Sequence, residues 1–184
     1  VERHVRRNLN PDERGPQDKE PTVSKWTFID KTGKEIVKPI YMACGYFSEG
    51  LLPAAVNGEG YREEKWGFLD ATGKVVIPYQ FRSTYGFKEG MAPVHTGGNW
   101  GYINKAGEVV VPGQYTYAYH FQGGLAVVAA GAYPATKYGY IDPTGKTVIP
   151  LEYSSAATFK DGKAKVVKDK RTFFIDRTGA EIKP

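Results

Sequence analysis

The stretch Lys65–Pro78, KWGFLDATGKVVIP, decides the fold because the chain keeps returning to it. Trp26–Pro39 reads WTFIDKTGKEIVKP, Trp100–Pro112 reads WGYINKAGEVVVP, and Tyr138–Pro150 reads YGYIDPTGKTVIP. Thr172–Pro184 reads TFFIDRTGAEIKP. Five occurrences in 184 residues define a repeat architecture, in which no unit buries its apolar face alone and each is completed by its neighbours.

Working outward from that stretch, each unit follows one grammar. An aromatic-rich strand carries a recurring branched residue (Ile29, Leu69, Ile103, Ile141, Ile175), followed by Asp30, Asp70, Asn104, Asp142 or Asp176. Glycine comes three residues later, at Gly33, Gly73, Gly107, Gly145 and Gly179. An Asp or Asn side chain accepts backbone N–H bonds at the start of a turn, and Gly supplies the left-handed position that follows, so the pattern predicts a short β-hairpin with a bulge. The second strand is β-branched (Val75–Val76–Ile77 and its equivalents) and is expected to stop at Pro39, Pro78, Pro112 or Pro150, where the N–H is missing. An aromatic follows at Tyr41, Phe81, Tyr115 and Tyr153, with room for a short fourth strand nearby. A third strand opens on Phe47-Ser48-Glu49-Gly50, Phe87-Lys88-Glu89-Gly90, Phe121-Gln122-Gly123-Gly124 or Phe159-Lys160-Asp161-Gly162 and runs into the next unit. Helical periodicity is absent, and the fold class is all-β.

The tryptophan slot holds Trp26, Trp66, Trp100 and Tyr138, then changes to Thr172, while Gly67, Gly101 and Gly139 give way to Phe173. A terminal repeat lacks one neighbour, so this change predicts that the tryptophans pack between repeats and are not exposed ligand platforms. The turn glycines are spaced by 40, 34, 38 and 34 residues, and the extra length falls between the third strand and the next Trp slot. The two long connections, AVNGEGYREEKW and AAGAYPATKY, carry aromatics and charge. Insertions in repeat proteins collect on one face, often the binding face. Tyr61, Arg62, Tyr133 and Lys137 are therefore the candidate contacts, against the alternative of idle hairpin tips.

Val1–Pro21 is polar, with three apolar side chains and three prolines, and reads as a flexible linker. The repeat domain is expected over 22–184 as four repeats of 34–40 residues plus a terminal half-repeat. The opening on Val1 rather than Met fits removal of an upstream signal or lipid-attachment segment, or an arbitrary boundary. No apolar run is long enough to cross a bilayer. The composition is globular, with 41% apolar and 24% charged residues, and 13 Tyr with 22 Gly suit short strands and tight turns.

The net charge is +5, with the excess late: Lys160–Lys183 holds eight basic and four acidic residues. Lys163, Lys165 and Lys168 form a secondary candidate face, although lysines on solvent-facing strand positions also guard an edge against pairing. Nucleic-acid signatures are missing, and no nucleic-acid partner is expected. Cys44 is single, which excludes an intrachain disulfide, and it reads as a buried structural thiol. His4, His95 and His120 form no metal-ligand spacing. One Asp per turn is too few for calcium, and no nucleophile elbow or phosphate loop is present. No enzyme activity, cofactor or metal is expected.

Residues 65–94, KWGFLDATGKVVIPYQFRSTYGFKEGMAPV, and the copies that follow the same order resemble the WG repeat family, named for its Trp-Gly pair. Trp66-Gly67 and Trp100-Gly101 carry that pair; Trp26-Thr27 and Tyr138-Gly139 depart from it at one residue, and Thr172-Phe173 at both. The resemblance covers Lys25 to Pro184. It implies an interaction or scaffold module in bacterial proteins, often in or beyond the envelope and without shared catalytic residues. A fainter likeness to the aromatic–Gly hairpins of cell-wall-binding proteins implies glycan held between rings. The expected architecture is thus tandem β-hairpin repeats stacked as a solenoid or superhelical sheet, with a small β-propeller as the alternative. The expected function is non-catalytic protein binding, with glycan or cell-wall binding and a toxin-neutralising immunity or inhibitor role as alternatives. An envelope or secreted setting is favoured over the cytoplasm.

Overall fold

In the computed structural model the described residues are 3–8, 24–29, 32–58 and 63–183, and they contain strands and turns but no helix. The chain forms two compact units, Val1–Gly86 and Phe87–Pro184. In the first, β1 (Arg3–Asn8), β2 (Ser24–Ile29) and β3 (Glu35–Tyr41) make a three-stranded sheet. A four-stranded meander follows, with β4 (Ala43–Cys44), β5 (Leu52–Asn57), β6 (Glu64–Leu69) and β7 (Val75–Phe81) in that order. The unit ends with β8 (Ser83–Thr84).

The second unit holds the ladder β9 (Met91–His95), β10 (Trp100–Asn104) and β11 (Val109–Tyr115). Next comes the meander β12 (Tyr117–Gln122), β13 (Leu125–Ala130), β14 (Lys137–Ile141) and β15 (Thr147–Tyr153). The last meander is β16 (Ser155–Ala156), β17 (Ala164–Lys168), β18 (Arg171–Ile175) and β19 (Glu181–Ile182). Among the described residues all strand pairings are antiparallel, and no sheet closes into a barrel. The repeats are tandem β-hairpin units, as the sequence predicts.

Two sequence expectations change. Within the segment read as a linker, Arg3–Asn8 is strand β1, paired with β2 from Arg3 opposite Ile29 to Asn8 opposite Ser24. It takes the place that a preceding third strand takes elsewhere, as β5 does beside β6 from Leu52–Leu69 to Asn57–Glu64. The composition argument weighed side-chain burial, whereas this strand is held by its backbone ladder. The rest of that segment lies outside the described residues.

The second strands also do not stop at proline: β3, β7, β11 and β15 run through Pro39, Pro78, Pro112 and Pro150. The register explains how. Phe68 faces Ile77 and Trp66 faces Phe81, so Pro78, Tyr79 and Gln80 together oppose Gly67. The same bulge recurs at Gly101 and Gly139. Proline sits where the ladder is already interrupted and its missing N–H leaves no partner unsatisfied.

The bulge explains the glycine of the Trp-Gly pair. A Cβ on Gly67 would lie 2.6 Å from the carbonyl oxygen of Ile77, and one on Gly139 would lie 2.6 Å from that of Ile149. On Gly101 it would strike the Val111 carbonyl in the same way. Phe173 occupies this place in the last repeat, where β19 pairs only through Glu181 and Ile182. In the first repeat the same register faces Thr27, which is buried, so a small side chain is accommodated there.

The most deeply enclosed rings are not Trp66 and Trp100, although Trp100 packs against the core that Tyr102 enters. Trp66 and Trp100 are half-buried, whereas the aromatics two residues on, Phe68, Tyr102 and Tyr140, are wholly buried. In the second unit, β13 is apolar on both faces. Ala126 and Val128 join Tyr102, Val111, Phe121 and Ile141 in one core, while Leu125 and Val127 join Tyr140, Ile149, Phe159 and Ile175 in the next. The meander β12–β15 is therefore sandwiched between its neighbours, with alternate residues serving opposite seams.

Each seam includes a buried phenol whose polar end is satisfied by the following sheet. Tyr102 O–H donates to the Tyr119 carbonyl and Tyr140 O–H to the Ala157 carbonyl, both at 2.7 Å. Desolvation by burial raises the pKa of both phenols, so they stay protonated donors. Tyr140→Phe removes one such bond while keeping the ring and is expected to cost about 1 kcal/mol by urea denaturation. Gly139→Ala places a methyl against fixed backbone and is expected to cost about 2–3 kcal/mol by the same measurement.

Candidate binding surface

The long connection between β13 and β14 is a hairpin over Gly131–Thr136. Ala135 N–H donates to the Ala132 carbonyl at 2.7 Å, and Thr136 Oγ1 donates to the Gly131 carbonyl at 3.2 Å. These bonds close the loop and leave Tyr133 at its tip, 93% exposed. Lys137 opens β14, exposed, with its Cα opposite Ala130. Both sequence candidates thus lie on one hairpin. Tyr61 and Arg62, in the other long connection, lie outside the described residues.

The same end of this sheet carries residues that the loop-length argument missed. Register places Tyr117 of β12 opposite Ala129 of β13, and Ala129 opposite Tyr138 of β14. Ala129 is wholly buried and small, and over it the Tyr117 and Tyr138 rings stack with centroids 6.5 Å apart and planes 13° from parallel. Tyr117 and Tyr119 both keep about half their surface in solvent. The signal was present in YTYAYHF, residues 115–121, where aromatics alternate along a strand, but alternation alone does not say which ring faces water.

The three candidate lysines do not form one face. Lys163 Nζ lies 5.3 Å from the centroid of the exposed Phe174 ring, and Lys165 sits opposite Phe174 in register. Lys168 instead forms an ion pair with Glu152 at 2.8 Å, and that hydrogen bond raises its pKa. Both side chains of the pair are solvent-exposed, which leaves it little energetic weight. Near the β17–β18 turn, Arg171 lies over Phe173 and bonds Glu181.

The recurring turn carboxylates are committed to their own loops. Asp142 Oδ1 accepts from Thr144 N–H at 2.9 Å, Thr144 Oγ1 at 2.6 Å and Lys146 N–H at 3.1 Å. Asp70 and Asp176 repeat the arrangement with Thr72 and Lys74, and with Thr178 and Ala180. Asn104 does the same for Ala106 N–H and Glu108 N–H, each at 3.0 Å. Among the described residues no group of three His, Cys, Asp or Glu side chains converges. Likewise, no helix among them is long and apolar enough to cross a membrane. Cys44 is half-buried against Tyr41, Leu52, Ala54 and Leu69, and desolvation raises its thiol pKa to about 11.

Tandem antiparallel meanders that share cores through alternate residues define a β-repeat protein. The chain belongs to the WG containing repeat family, whose model matches residues 26–59, 66–100, 100–130 and 138–171. No curated protein matches it.

The turn geometry makes an acid-stability prediction. The hydrogen bond from the Thr144 hydroxyl, followed by the two backbone amides, holds the Asp142 carboxyl below the ordinary aspartate pKa of 3.8. A carboxylate depressed in the folded state stabilises fully above its unfolded pKa and loses that contribution as pH falls through the folded value. Asp142→Asn keeps the acceptor, as Asn104 does naturally. The melting temperature is expected to change little at neutral pH and to fall less steeply than that of the parent below about pH 4.

Proposed function

We propose that this chain is a non-catalytic, protein-binding scaffold module whose contact surface is the β13–β14 hairpin end of the third repeat. The observation that carries the reading is an exposed aromatic, Tyr133, at the tip of a hairpin whose strand β14 brings Tyr138 to stack on the half-exposed Tyr117. Large, stiff aromatics with polar tips dominate protein interfaces because they contribute contact area at small conformational cost. The sheet that carries Tyr117 and Tyr138 is anchored through alternate residues of β13 in two cores, so its backbone needs little ordering on binding. Asp70, Asp142 and Asp176 support a non-catalytic role, since each commits Oδ1 to backbone and threonine donors of its own turn.

A second reading, glycan binding, draws on the same stack: the half-exposed Tyr117 ring offers a flat apolar face of the kind a sugar covers. A photoactivatable phenylalanine analogue at Tyr133 is expected to cross-link one defined protein in cells of the source organism, while the same probe at Val148 does not. The purified partner is then expected to bind Tyr117→Ala and Tyr133→Ser variants roughly tenfold more weakly. Equal cross-linking from both positions would overturn the protein-binding assignment. Polysaccharide retention that Tyr117→Ala abolishes would put the glycan reading in its place.

A further inference from the structure

The tight turns that open the third strands form a second recurring surface, at the sheet ends opposite the hairpin just described. In each, two consecutive residues take left-handed backbone angles: Glu89 and Gly90 (φ 54° and 77°), Gly123 and Gly124 (64° and 75°), Asp161 and Gly162 (51° and 77°). Successive left-handed residues turn adjacent amide N–H groups outward and make a concavity that suits an anion. One of these turns shows its ligand. The Glu89 carboxylate reaches into the next repeat, where Gly123 N–H donates to Oε1 at 2.6 Å and Gly124 N–H to Oε2 at 2.7 Å. Lys88 reinforces the same bridge, donating from Nζ to Gln122 Oε1 at 3.1 Å.

One repeat further on, the geometry recurs without an internal carboxylate. Gly123 occupies the place of Glu89 and has no side chain to send forward. Among the described residues, no acceptor meets the amides of Asp161 or Gly162. The turn is closed by the reciprocal Lys160–Lys163 backbone bonds at 2.9 and 3.1 Å, and the space beside Gly162 is open to 4 Å. Lys160, Lys163 and Lys165 are exposed on and beside it; of the nearby carboxylates, Asp161 lies in the turn itself and Asp176 is bonded within its own turn.

We propose that the Lys160–Lys163 turn is a docking site for a glutamate side chain on an acidic segment of a partner protein, its carboxylate taking at Asp161–Gly162 the place that Glu89 takes at Gly123–Gly124. Two charge-assisted amide bonds fix the carboxylate, and the flanking lysines select an acidic strand around it. The inference deepens the protein-binding reading and rests on it, but concerns a different surface.

The test uses the full chain and a short alternating Glu–Gly peptide blocked at both ends, followed by amide proton–nitrogen correlation spectra. The Asp161 and Gly162 amide protons are expected to move downfield saturably with this peptide and not with the matching Gln–Gly peptide. Gly123 and Gly124 are expected to stay unmoved in the parent chain and to respond in Glu89→Ala. Gly123→Glu supplies an internal carboxylate and is expected to weaken the response at Asp161 and Gly162 roughly tenfold. A Cβ there meets only the movable end of Arg177, at 2.9 Å, and Glu89 already adopts the same backbone angle. If Gly123→Glu does not fold, the Glu89→Ala arm decides. Unmoved Asp161 and Gly162 amides, equal shifts with the Gln peptide, or no response gained in Glu89→Ala would overturn the proposal. Any of these leaves the hairpin reading to its own cross-linking result, so the two fail separately.

Discussion

One close approach recurs through the repeats, between a backbone carbonyl and the place where a side chain would begin. The carbonyl oxygens of Ile77, Val111 and Ile149 lie over Gly67, Gly101 and Gly139, and three residues of the second strand bow around each of these glycines. Because the strand bends there, its fully buried residues fall at two separate points, Ile77 and Phe81 or their equivalents, with exposed or half-buried residues between. Between these points the aromatic two places after the tryptophan slot is driven into the seam. The short fourth strand is launched from the far end of the bow. Where glycine stands, the carbonyl comes closer than a Cβ would allow; in the first repeat the same bow passes Thr27.

The sequence made the meander legible because turn chemistry is local. Asp70, Thr72 and Gly73 announce their hairpin by residue type alone, and the structure places those side chains in the bonds that such residues favour. The aromatic ends at Tyr41, Phe81, Tyr115 and Tyr153 were equally readable. Burial was not, because it depends on which sheet lies across each face. Val75–Val76–Ile77 reads as three equivalent apolar residues, yet only Ile77 is buried. Likewise, Trp66 is the larger ring, but Phe68 is the one enclosed. Proline misled for a related reason: its missing N–H ends a regular ladder but fits a bulge, and only the register distinguishes them. Tyr133 and Lys137 were visible as an insertion, whereas Tyr117 became part of the surface only through cross-strand pairing over Ala129.

Structural roles and the recognition roles proposed above fall on different residues. Alternate residues of β13 serve the two seams, and the phenol oxygens of Tyr102 and Tyr140 fasten one sheet to the next. The hairpin at one end of this sheet, and the Lys160–Lys163 turn of the next, are the parts that these constraints leave alone. A surface held on such a support meets its partner already shaped, and its affinity follows from which aromatics and charges it displays.

The fastening itself carries a further consequence. From Tyr102 to its acceptor at Tyr119 is 17 residues, and from Tyr140 to Ala157 is again 17, although the repeats containing these tyrosines are separated by a longer, aromatic-bearing hairpin. Chain length inside the fastened stretch is held constant, while the hairpins drift in length from unit to unit. Such a scaffold can be refashioned by grafting: a foreign loop spliced between Gly131 and Thr136 inherits a prepared foundation, and the architecture has no need to relearn how to stand.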